Sequence, residues 1–102
     1  MKEYQKLVRD RIPDMIAAQG KRCEIRVLQQ EEYRSCLEQK LDEETAEFHR
    51  EGNLEELADI LEVVYALAQS LGATQEELME VYAAKHEQRG GFSDRVFLIR
   101  GE

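Results

Sequence analysis

Glu43, Glu44 and Glu47 stand together in the stretch LDEETAEF at 41–48, and Glu56 and Asp59 follow after a short break as Glu-x-x-Asp. Carboxylates three or four residues apart are neighbours on a helix surface, so each group offers a pair of oxygen ligands if both segments are helical. Two such pairs facing each other in a partly dry groove repel, and an isolated ion removed from water is costly. A divalent cation between them offsets both effects. Hard oxygen ligands select Mg²⁺, Mn²⁺ or Ca²⁺ over metals that favour softer ligands, and carboxylates on two facing helices are one way a bundle builds a metal site. The di-iron version of that arrangement adds Glu-x-x-His, which is missing here. His49 follows Phe48 and points away from the acidic flank, and His86 lies far along the chain. The expectation is a Mg²⁺ site, with Mn²⁺ as the other candidate, and Glu44, Glu47, Glu56 and Asp59 as the acids that converge on it.

Two helices must position these acids. Tyr33, Leu37, Leu41 and Phe48 recur with helical spacing over 30–51, and Gly52 supplies a stop. Asn53 caps a second helix running to about residue 71, closed by Gly72, and Thr74 with Glu77 forms a capping box for a third that ends before Gly90-Gly91. Pro13 suits a first helical turn, which predicts a short helix over 12–19 ended by Gly20. The segments EIRVL at 24–28 and RVFLIR at 95–100 are rich in β-branched and apolar residues and are expected to pair as a small β-ribbon. The predicted architecture is mainly α: an antiparallel helical bundle with that ribbon, forming one domain over 1–102.

Advancing about 100° per residue, Leu37, Leu41 and Phe48 gather on one side of the first long helix, and Glu44 falls in the same arc. Glu47 lies further round, Lys40 between the two, and Glu43 at the polar edge. On the next helix Leu54, Leu57, Ile60, Leu61, Val64, Leu67, Ala68 and Leu71 make a wide apolar arc with Val63 at its margin. Glu56 sits between Val63 and Leu67, with Asp59 one turn along. A hairpin at Gly52 brings the two acidic flanks together. Plainer roles compete for each residue. Glu43 and Glu62 suit a solvated face, Glu56 stands three residues after Asn53 and suits a capping box, and Glu44 suits an ion pair with Lys40 or Lys85. The breadth of the apolar arc predicts burial on two sides, hence a homodimer or homotetramer.

The 102 residues carry 22 acidic and 14 basic side chains, a net charge of −8, which argues against a nucleic-acid polymer or an anionic membrane as the partner. Cys23 and Cys36 are too few for a disulfide framework, and no Cys/His group has zinc-ligand spacing. The amino terminus lacks the apolar run of a signal peptide, and no stretch reaches the roughly 18 apolar residues of a membrane span. A cytoplasmic location is expected. An anionic substrate in an acidic pocket needs cations, and Lys6, Arg9, Arg11, Lys85 and Arg89 are the candidates to bind it. Of these, Lys85 and Arg89 share a helix face just before Gly90-Gly91.

The combination Glu43-Glu44-Thr45-Ala46-Glu47 and Glu56-Leu57-Ala58-Asp59 resembles the signature of the all-α nucleoside triphosphate pyrophosphohydrolases, the MazG-like superfamily. KLVRDRIP at 6–13, EIRVL at 24–28, EELADILEVVYAL at 55–67 and KHEQRGGF at 85–92 resemble its small single-domain house-cleaning members. Eight residues separate Glu47 from Glu56, fewer than in many members. The resemblance implies Mg²⁺-dependent cleavage of a nucleoside triphosphate to monophosphate and pyrophosphate, with Glu44, Glu47, Glu56 and Asp59 as metal ligands. Either Glu43 or Glu47 is the candidate base for the attacking water. Two alternatives stand beside it: the related phosphoribosyl-ATP pyrophosphohydrolase, and a helical oligomerisation module that holds metal or nucleotide without turnover.

Overall fold

The computed structural model describes residues 2–102. Four helices follow one another: α1 (Ile12–Ala18), α2 (Gln30–Glu51), α3 (Leu54–Ser70) and α4 (Gln75–Arg89). Their limits match the expected segments to within a residue or so, because each boundary has a local cause. Pro13 opens α1, and the Gly20 N–H returns to the Ala17 carbonyl at 2.9 Å to end it. Gly52 ends α2 in the left-handed conformation (φ 60°), donating its N–H to the Phe48 carbonyl at 2.8 Å. The Asn53 side chain accepts the Glu56 N–H at 3.0 Å, so the next helix begins two residues after the last one stops. At α4 both bonds of the Thr74–Glu77 capping box are made, each at 3.1 Å.

α2 and α3 form the hairpin that organises the chain. Leu37 on α2 and Val63 and Ala68 on α3 are the buried apolar residues, and they sit on the arcs expected to face each other. The open end of the hairpin is tied by Arg34 near the start of α2, whose guanidinium donates to the carbonyl of Ser70 at the end of α3 at 2.7 Å. That bond requires the two helices to run antiparallel. Burial of Ser70 is tolerated because its hydroxyl donates to the Leu67 carbonyl at 2.7 Å.

α4 contacts α3 and no other helix, and the chain turns through 108° between them. The all-helical architecture is as expected. The β-ribbon is not: among the described residues there is no strand, and 24–28 and 95–100 have no regular secondary structure and do not pair. A two-stranded ribbon is marginal in water unless it packs on a third element. α4 does not fold back along the hairpin to provide that surface. Among the described residues no single helix is long and apolar enough to cross a membrane.

Candidate metal centre

Next to the Gly52 turn, the hairpin brings Glu44 of α2 beside Glu56 and Asp59 of α3. One carboxylate oxygen from each lies within 4.8 Å of the other two. All three are partly buried. Glu44 sits inside the groove because it shares the arc of Leu37 on α2. Glu56 and Asp59, three apart, are neighbours on α3. The Asn53 cap engages the backbone N–H of Glu56, leaving its carboxylate to the cluster. A helix cap and an acidic ligand are thus combined in one residue.

The acids line a groove of about 550 Å³, together with Lys6, Lys40, Glu43, Ala46, Glu47 and Arg50. Mg²⁺ holds its oxygens at about 2.0–2.1 Å, so ligands on opposite sides are about 4.2 Å apart, and Ca²⁺ with bonds of about 2.3–2.6 Å spans more. Three oxygens within 4.8 Å of one another could close on one such cation by small side-chain adjustments. The donor set also fits: three carboxylates, with no sulfur or imidazole among them.

The electrostatics point the same way. Partial burial, followed by the charges of Glu47, Asp59, Glu44 and Glu51, raises the pKa of Glu56 above its ordinary value of 4.5. The raised affinity for a proton marks the place where positive charge is most wanted. The protein's own cations meet part of this demand. Lys40 Nζ lies 3.7 Å from Glu44 and 3.2 Å from Glu43, and the Arg9 guanidinium reaches Asp59 at 2.5 Å and Glu62 at 3.5 Å.

Glu47, expected as a fourth ligand, lines the groove but lies outside the triad, with its carboxylate engaged by Arg50 one turn along α2. Glu43 is exposed and lines the same groove. Of the basic residues singled out in the sequence, Lys6 lines the groove and Arg9 touches Asp59. Arg11 is not among the lining residues, and Lys85 and Arg89 are carried on α4, which does not contact α2. Lys40 makes the ion pair with Glu44 that competes with a ligand role for this acid. Arg50 was not anticipated, although its position three residues after Glu47 was a signal for it.

No family model matches the chain, and no solved structure matches it. A protein of Mycolicibacterium smegmatis, described as uncharacterized, is 56% identical over 41 residues, which is 40% of this chain and 42% of that protein. The chain therefore matches less than half of that relative's length, and the similarity brings with it neither a family nor an activity.

Proposed function

We propose that the protein is a Mg²⁺-dependent nucleoside triphosphate pyrophosphohydrolase, cleaving its substrate to a monophosphate and pyrophosphate, with removal of non-standard nucleotides as its role. The observation that carries this is the meeting of Glu44, Glu56 and Asp59 across the hairpin, with their nearest oxygens within 4.8 Å. The resemblance of the two acidic motifs to the MazG-like superfamily supplies the reaction. The rest of the reading is a cytoplasmic homodimer or homotetramer that uses Mg²⁺, or Mn²⁺ in its place.

Glu44, Glu56 and Asp59 would hold a divalent ion, which would supply charge neutralisation for triphosphate oxygens in the acidic groove and a lowered pKa for water there. The chain's own residues do the rest. Glu43, at the rim beside Lys40, takes the proton of water directed at the α-phosphorus, and the bond broken is the one to the β-phosphate oxygen, so pyrophosphate leaves. Glu47, steadied by Arg50, is the second candidate for that proton. Lys6, which lines the groove, and Arg9, which reaches Asp59, bind phosphate oxygens.

The test is pyrophosphate release from a panel of nucleoside triphosphates with Mg²⁺, for the parent chain, Glu44→Gln and Asp59→Asn. Release that disappears in both variants while their helical circular dichroism persists supports the reading. Metal binding without turnover of any triphosphate overturns it in favour of a non-catalytic helical module. The exposure of Leu54, Leu57 and Leu61 on α3, which suits assembly, is the observation on that module's side.

A further inference from the structure

The chain is far more open than its size requires. Its radius of gyration is 17.9 Å, against about 13 Å for a compact chain of this length. Its accessible surface is 9618 Å² at 11.9 kDa, roughly 3,600 Å² more than a folded monomer of that mass exposes. Permanent interfaces bury roughly 2,000–5,000 Å² counted over both partners, so each chain has surplus surface for one.

The most exposed apolar run is in the carboxy-terminal arm. Val96, Phe97, Leu98 and Ile99 are consecutive and 79–87% exposed. Successive side chains on a strand point to opposite faces, so this run, taken up as a strand, is apolar on both, the pattern of a strand covered on each side. Ile25 and Val27 make a second exposed apolar segment outside regular secondary structure. Among the described residues, neither 24–28 nor 96–100 has a backbone hydrogen bond. Each segment lacks what the other offers, and one chain does not bring them together.

We propose that the arm 96–100 of one copy adds as a strand to segment 24–28 of a second copy, and that the exchange is reciprocal, giving a two-fold dimer. A second copy is the occupant because every copy carries both the unpaired arm and the unpaired segment, and a reciprocal exchange draws on the surplus surface of both. At the receiving segment, Arg26 is held by Glu32 at the start of α2 through exposed bonds of 2.9 and 2.6 Å. The inference requires neither metal nor turnover, and it stands if the catalytic reading fails.

Sedimentation velocity over a concentration series, on the full chain and on Leu98→Asp and Phe97→Asp, reads the assembly. A charge placed in an apolar contact should weaken the dimer by at least about 100-fold while helical circular dichroism is unchanged. Cross-linking reads the pairing. One chain keeps only Cys23, the exposed thiol next to segment 24–28, through Cys36→Ser. Its differently tagged partner lacks both native thiols and carries Asp94→Cys or Gly101→Cys at one end of the arm. A disulfide joining the two tagged chains is expected from whichever end lies beside Cys23. A full chain that is monomeric throughout, a dimer indifferent to both substitutions, or no mixed disulfide from either end overturns the proposal.

Discussion

Arg9 and Asp59, fifty residues apart in sequence, meet at 2.5 Å through guanidinium and carboxylate. A cation from the amino-terminal segment thereby sits on one of the three acids that would hold a metal. Metal loading has to displace it. Both partners are substantially exposed, and an exposed ion pair contributes about 1 kcal/mol at most, so Arg9→Gln should tighten Mg²⁺ binding by no more than about 5-fold. The same change should weaken substrate binding if the released guanidinium goes on to a phosphate. Calorimetric titration with Mg²⁺ alone, set beside KM for the triphosphate, separates the two effects; unchanged values for both would remove Arg9 from the site.

Glu56 contributes one component to the pH response of the metal-free protein, opposite in sign to that of Glu32, which Arg26 holds below the usual carboxylate range. The pKa of Glu56 is raised, chiefly by partial burial and then by the neighbouring acids, so the folded state holds the proton more tightly than the unfolded chain does. The associated stability is present below the ordinary value of 4.5 and is lost as pH rises through the raised value. The metal-free Tm should therefore show a component that falls through that window, and Glu56→Gln should flatten it. Mg²⁺ binds the ionised form, so its addition should raise the Tm above the window in the parent chain and leave Glu56→Gln almost unchanged. A thermal-shift series with and without chelator checks all of this.

Glu43 and Glu47 occupy different surroundings, which makes their roles separable. Glu43 is exposed and paired with Lys40, whereas Glu47 is half-buried and held by Arg50. With Glu43 as the base, Glu43→Gln should lower kcat by about 10²–10⁴-fold, the usual share of general-base catalysis, and leave Mg²⁺ affinity nearly untouched. Should Glu47→Gln alone produce that pattern, the assignment moves to Glu47.

Leu37 is the most buried side chain in the hairpin, at 3% exposure. Leu37→Ala removes it from between α2 and α3 and should destabilise the chain by about 2–5 kcal/mol, lowering the denaturant midpoint in urea. The acidic triad lies two turns along α2 from Leu37, so any residual folded fraction should keep its carboxylates together. A loss below about 1 kcal/mol would mean that the interface collapses to fill the space.

The helices were legible in the sequence because their ends have short-range causes: Gly52, Asn53 and the Thr74–Glu77 box each act within a few residues. The acidic triad was legible for a related reason. Glu44 shares an arc with Leu37, Glu56 lies between Val63 and Leu67, and one tight turn leaves the two helices little choice of register. What could not be read depends on longer range. The approach of Arg9 to Asp59 depends on the path of a segment outside the helices, and the remoteness of Lys85 and Arg89 from α2 follows from the turn between α3 and α4. The ribbon between 24–28 and 95–100 was expected from local composition, but pairing needs the segments to be carried together, and α4 leads away from the hairpin.

Gly52 and Asn53 are the whole connection between α2 and α3. Adding one residue there would turn α3 by about 100° relative to α2. The wide arc of leucines from 54 to 71 could still supply apolar contacts after such a turn, but Glu56 and Asp59 would swing away from Glu44. A single inserted codon at this junction should thus leave a helical chain whose acidic cluster is dispersed, which makes the length of this connection more diagnostic of the cluster than the identity of most core residues.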